Sequence, residues 1–416
     1  MDSSSRPDRS RVTVAGRVKA FLEPAGKWLF LGIADDQAEP AKDSQAHKPA
    51  GRHARIHELD ALRALAAISL MLFHLTHVYS VKFGYSMPLG FVWPYGAYGT
   101  EMFFILSGFV NAMSLLRRRQ PKDFILARVI RIVPLFLIIV LINMIVVALP
   151  PHASSSVDGI STGQWIANLT LAPRLLGYEC VDPVMWTLQV EMMFYGLLVT
   201  LYVSGLLRRP LFAWGSLLVF SFVVCRWQDG MHTTLSSMPE MASVTFVRRL
   251  MLLDFVPLFA IGFLTYMIKI RSGRVWHNLI GIASAVAVFH CIDHGKHNPL
   301  ATLLLIGLVT MAAYGKIPML RLRPLLYIST ISYALYLVHN NLGCAVIHQL
   351  DHGWGVPPAA AFAVTIALSI AVAGVVTYWV EAPLTQHLRK RFLQKPGSTA
   401  ANADARNAID ASPGTS

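Results

Sequence analysis

Charge is scarce in this chain. Only 14% of its 416 residues are Asp, Glu, Lys or Arg, while 54% are hydrophobic. An ordinary soluble domain carries roughly a quarter charged residues, so the composition excludes a soluble globule and predicts a polytopic membrane protein. Cysteine is scarce as well. The four present, Cys180, Cys225, Cys291 and Cys344, show no CxxC pair and no ligand spacing, so no redox motif and no metal site is expected. Acidic residues are outnumbered 23 to 36, giving a net charge of +13. That excess is not the footprint of a nucleic-acid partner, because the lysines and arginines sit in short runs between apolar segments, as cytoplasmic loops of membrane proteins require. No cleavable leader is visible. Residues 1–55 are mostly polar, interrupted by the short apolar patch Trp28 to Ala34, which cannot span a bilayer, and 393–416 carry no apolar run. Both are expected to be disordered cytoplasmic tails.

What is there is apolar and helical in length. Ten segments can be counted, near 59–80, 95–116, 132–149, 184–207, 210–227, 250–270, 276–292, 299–315, 325–348 and 358–381. They predict an all-α fold, with about ten transmembrane helices in one bundle spanning residues 56–392. Placing both termini in the cytoplasm puts eighteen lysines and arginines in inner loops and six in outer ones, the bias that positive-inside topology demands.

The segment Leu59 to Ser80, LDALRALAAISLMLFHLTHVYS, organises the rest. Arg63 and His74 lie eleven residues apart in it. At ~100° and ~1.5 Å per residue they share a face, ~16 Å apart along the axis. Ionisable groups in hydrocarbon are costly and mark a bundle interior with a function. Alternatively Arg63 snorkels and His74 bonds a neighbouring helix. The second segment, GTEMFFILSGFVNAMSLL, carries Glu101, Ser107, Gly108 and Asn111. Ser107-Gly108 reads more as close packing than as a nucleophile, since no His or Asp stands at helical spacing from the serine.

Arg128 and Arg131, in FILARVIRIVPLF, are at i and i+3 on one helical face. Such a pair either obeys the positive-inside rule or forms a fork for phosphates. Glu191 falls inside MWTLQVEMMFYGLL, Asp254 inside the sixth segment before Pro257, and Glu381 just before Pro383. Ser332, Tyr336 and His339 follow at spacings of four and three on one stripe. One bundle thus holds His74, Glu191, Asp254 and His339 in membrane segments with arginines toward the cytoplasm, which suits a transport path or an active site.

At these residues the chain resembles the acyltransferase 3 family of integral membrane acyltransferases. The matching pieces are LDALRALAAISLMLFH, GTEMFFILSGFV, FILARVIRIVPLF, WTLQVEMMFYGLL, LDFVPLFAIG, ISYALYLVH and EAPL, in the family's order from about residue 55 to 392. The form WTLQVEMMFY is most similar to the branch that acetylates bacterial exopolysaccharides of the succinoglycan kind. The resemblance implies a plasma-membrane enzyme that moves an acyl group, usually acetyl from cytoplasmic acetyl-CoA, to a sugar hydroxyl of a cell-surface glycan. Combined with the residues, it makes His74 the base or the acyl carrier, with Glu191 orienting it. Arg63, Arg128 and Arg131 would hold the CoA phosphates, leaving Asp254, Ser332, Tyr336, His339 and Glu381 as substrate-binding or structural polar groups. The alternatives are a proton-coupled transporter or flippase, for which no internal repeat is seen, and a non-catalytic scaffold, which leaves the Arg63–His74 alignment unexplained.

Overall fold

The computed structural model describes residues 56–117, 120–148, 160–232 and 239–393, so the tails expected at 1–55 and beyond 393 lie outside it. Prolines set most of the helix starts, because a residue without an N–H costs nothing where that N–H has no partner. Helix α1 is His57–Phe73 and runs on through a widened turn, His74–Val78, to Lys82. After a short 3₁₀ turn opened by Pro94 comes α2, Tyr98–Arg117. Proline opens α3 (Pro121–Ala148), whereas Ser161 caps the short α4 (Thr162–Leu169) by accepting from the Gln164 N–H at 3.1 Å.

Next come α5 (Trp186–Val203), α6 (Pro210–His232), α7 (Pro239–Leu250), α8 (Val256–Lys269) and α9 (Val275–Ile292). The chain closes with α10 (Pro299–Ala313), α11 (Arg323–Val338), α12 (Asn341–His348), α13 (Pro358–Val376) and α14 (Ala382–Phe392). Among the described residues there is no strand. The fold is all-α, as the composition predicts.

Seven helical stretches are long and apolar enough to cross a membrane: His57–Lys82, Pro94–Arg117, Pro121–Val147, Pro183–Val203, Pro210–Met231, Val275–Ile292 and Pro358–Phe392. Their outward faces are apolar, with Ile145, Val219, Val223 and Val375 each more than half exposed. A water-facing surface does not carry such a belt, whereas a lipid-facing one must. The other three expected segments are shorter helices, α8, α10 and α11.

Two of these depart from the sequence reading for visible reasons. The segment expected from 250 begins as a helix only at Val256, and Leu252 takes a left-handed φ of 58° in the turn before it. A helix running from 250 would bury Pro257 in its interior, against the carbonyl of Leu253; starting at Val256 leaves the proline in the first turn. Asp254 therefore lies in the turn, not inside the helix. The segment expected over 325–348 breaks between Val338 and Asn341. There Asp182, wholly buried, accepts from the Asn340 amide at 2.8 Å and from the Asn341 backbone N–H at 3.4 Å. The same carboxylate accepts from the Val184 N–H at 3.2 Å and so caps the turn that leads into α5. Burial pushes Asp182 up to about 6, against the opposing pull of these three N–H groups.

Helix α1 packs against α2 and α11, and α2 against α8. The α2–α8 crossing is made by glycine. A Cβ on Gly262 would stand 1.9 Å from the Ile105 carbonyl oxygen, and one on Gly108 2.3 Å from that of Phe259. Membrane helices gain most of their association from such backbone approach. Gly108 is therefore a packing residue, in line with the sequence reading.

Candidate functional site

Two cavities with charged side chains in largely apolar walls lie back to back inside the bundle. The first, about 860 Å³ with its mouth included, is lined by Arg63 of α1, Ser107 and Asn111 of α2, Arg128 and Arg131 of α3, Glu191 and Tyr195 of α5, and Ser332, Tyr333 and Tyr336 of α11. The three arginines that the sequence proposes together are thus gathered around one space. The Arg128 guanidinium carbon lies over Phe124 and Tyr195, 5.5 and 5.6 Å from the ring centroids, contacts that help orient a guanidinium. Arg63 and Arg131 make no ion pair with any described residue. Glu191 is the one carboxylate lining this space; it accepts from the Tyr195 hydroxyl and from Ser107 Oγ at 3.4 Å. Three guanidiniums against one carboxylate make this cavity basic, a charge balance that favours an anion.

The second cavity, about 1280 Å³ with its mouth, is lined by His74 of α1, Glu101 of α2, Trp186 of α5, Asp229 of α6, Arg248 of α7, Asp254, and Asp293 and His297 from the α9–α10 connection. One helix, α1, therefore delivers Arg63 to the basic cavity and His74 to this one. His74 sits where α1 widens, and the Leu75 carbonyl beside it is taken by the Tyr85 hydroxyl at 2.6 Å.

Hydrogen bonds fix the imidazole. His74 Nδ1 lies 2.8 Å from the Leu70 carbonyl and 3.1 Å from His339 Nε2, while His339 Nδ1 lies 3.1 Å from the Leu335 carbonyl. A carbonyl only accepts, so both Nδ1 atoms carry the proton and donate, and His339 Nε2 accepts from His74. His74 Nε2 is left with a bare lone pair. His339 is fully buried and held at the break between α11 and α12 that Asp182 makes.

Among the other expected residues, Tyr336 lines both cavities, its hydroxyl donating to the Val184 carbonyl at 2.8 Å. Ser332 lines the basic cavity and donates to the Ser329 carbonyl at 2.8 Å. Asp254 reaches the second cavity in an ion pair, 2.6 Å from Arg248 Nη2. Burial works against the Arg248 charge, but Asp254 and Asp229 outweigh it and hold the guanidinium above its ordinary value. Glu381 lines neither cavity and accepts from Thr377 Oγ1 at 3.3 Å. His77 stacks on Phe73, centroids 5.4 Å apart, and also lines neither.

Glu191 and His74 are not brought together. The neighbour of His74 is His339, and Glu191 stands among the arginines. Sequence reasoning also missed a carboxylate–histidine chain: Asp293 Oδ1 is 2.7 Å from His297 Nδ1, and His297 Nε2 is 3.5 Å from Glu101 Oε1. The i,i+4 spacing of Asp293 and His297 was a readable signal; the meeting with Glu101, on another helix, was not.

Helices long and apolar enough to cross a membrane thus enclose a basic cavity on one side of a shared wall and a cavity reached by the His74–His339 pair on the other. The chain belongs to a family of acyltransferases, whose acyltransferase domain it matches over residues 56–378. It is similar to the exopolysaccharide production protein ExoZ of Rhizobium meliloti (strain 1021), 28% identical over 309 residues, which covers 71% of this chain and 92% of that protein. No solved structure matches it. Family membership displaces the transporter and scaffold alternatives: the protein is a membrane acyltransferase.

Proposed function

We propose that this chain moves an acyl group, most simply acetyl, from an acyl-CoA in the basic cavity to a hydroxyl of a cell-surface or exported polysaccharide in the histidine cavity. The observation that carries this reading is the division of labour along α1, with Arg63 in one cavity and His74 in the other. Arg63, Arg128 and Arg131 hold the donor's phosphates, for which guanidinium forks are suited, and Glu191 tempers their charge. The charge bias of the loops supports placing the basic cavity toward the cytoplasm, where acyl-CoA is made, in the plasma membrane.

Chemistry then falls to His74. Its bare Nε2 takes the acceptor's hydroxyl proton as the oxygen attacks the thioester carbonyl; the carbon–sulfur bond breaks, and the proton passes to the departing thiolate. In the relayed form Nε2 itself attacks the thioester and the carbon–sulfur bond breaks to release the CoA thiolate; the hydroxyl oxygen then takes the acyl group from the ring as the nitrogen–acyl bond breaks, and the hydroxyl proton passes by way of the ring to the thiolate. His339 accepts from Nδ1–H and keeps the ring in the productive tautomer in either form. Similarity to a protein named for exopolysaccharide production supports a glycan acceptor. The test is His74→Ala in membranes supplied with labelled acetyl-CoA. Transfer to polysaccharide should fall by about 10²- to 10⁴-fold with acetyl-CoA binding retained, whereas undiminished transfer would remove the proposed centre.

A further inference from the structure

Thr100, Phe104, Thr187 and Tyr336 each line both cavities, so the wall between the two spaces is one side chain thick. It has two sides. On one stand Thr187 and Tyr336, their hydroxyls 2.7 Å apart, and the Tyr336 ring lies 5.7 Å from that of His339, the partner of His74. On the other stand Thr100 and Phe104 of α2, with Phe104 wedged among Phe255 and Phe259 at 5.0 Å each and Trp186 at 6.0 Å. Phe104 and Tyr336 are almost wholly buried, so neither ring can swing aside without disturbing its neighbours.

We infer that this wall selects the acyl group by length: the acyl chain passes between Phe104 and the Thr187–Tyr336 pair, and only a chain of two or three carbons is accommodated. The inference rests on the proposed placing of donor and acceptor in opposite cavities. If phosphates bind on one side of the wall and the hydroxyl on the other, the acyl carbon must cross it to react. With Phe104 packed among aromatic neighbours and the Thr187 and Tyr336 hydroxyls bonded to each other, every extra methylene placed between them must displace a packed contact. Discrimination at such a site is about 10- to 200-fold per methylene.

The experiment uses membranes of the producing cells, in which the full chain meets its own polysaccharide. Incorporation of label from radioactive acetyl-, propionyl- and butyryl-CoA is compared for the native chain, Phe104→Leu and Thr187→Ala. The native chain should strongly prefer acetyl to butyryl. Each variant should raise the butyryl-to-acetyl ratio at least tenfold, and because the ratio is internal, loss of folded protein does not mimic the result. Thr187→Ala removes only a hydroxyl and a methyl, and so serves if the larger change fails to fold. A native chain that uses acetyl and butyryl equally, or variants whose ratio stays within twofold of native, would overturn the selecting wall while leaving the donor reading intact. No incorporation from any acyl-CoA by the native chain would overturn both.

Discussion

Replacing Asp182 by Asn isolates the cost of holding a carboxylate at the junction of α5, α11 and α12. Burial pushes this group from an ordinary 3.8 up to about 6, so the folded state binds the proton more tightly than the unfolded chain does. Stability is then highest below the unfolded value and falls as pH rises through the folded one. The full difference is about 3 kcal/mol, of which about 1 kcal/mol lies between pH 5 and 8. Lys82, the one cation acting on the group, lowers it only partly. Thermal unfolding of the detergent-solubilised chain, followed by tryptophan fluorescence across that window, should show the native protein losing roughly 2 °C more than Asp182→Asn. The asparagine retains an oxygen for Asn340 but cannot titrate. Parallel curves for the two proteins would refute the argument, and a native protein that gains stability with pH relative to the variant would reverse its sign.

Two further outcomes are expected. Arg131→Ala should weaken acetyl-CoA binding, measured by calorimetry, about tenfold or more, since a hydrogen bond to a charged group is worth about 1.5–3 kcal/mol, with Arg131→Lys between the two; equal affinities would return Arg131 to loop charge bias. Gly262→Ala should cost about 3 kcal/mol or block assembly, because overpacking costs about 1–3 kcal/mol and its Cβ would meet the Ile105 oxygen at 1.9 Å. Gly307→Ala, with nothing within 4 Å, should leave the unfolding temperature unchanged or slightly raised, and similar losses in both would contradict the crossing described.

What could be read from the sequence was what helical period controls. The spacing of Arg63 and His74 follows from ~100° per residue, and it reaches both cavities in the structure. Arg128 and Arg131 share a face for the same reason. What could not be read was where one helix meets another. The His74–His339 pair joins residues 265 apart, and no periodicity links them; the same holds for Glu101 and His297. Glu191 was assigned to His74 because both are ionisable and within membrane segments, but which helix faces which is decided by glycine contacts and buried caps. The displaced start of α8 was partly legible, since Pro257 argues against a helix running through it.

The glycine crossing of α2 and α8 makes one face of the wall a rigid piece. With a carbonyl occupying the place where a side chain would begin, the two helices cannot slide or roll without a backbone clash, and they behave as a single strut carrying Thr100 and Phe104. Facing it across the wall are the α5 and α11 ends that carry Thr187 and Tyr336, joined at their hydroxyls. Those ends are pinned together through Val184 and Asp182, and the same knot holds the α11–α12 break at which His339 sits. The wall between the cavities and the ring that hydrogen-bonds His74 are thus both tied to one buried carboxylate, so a change at Asp182 reaches the two together.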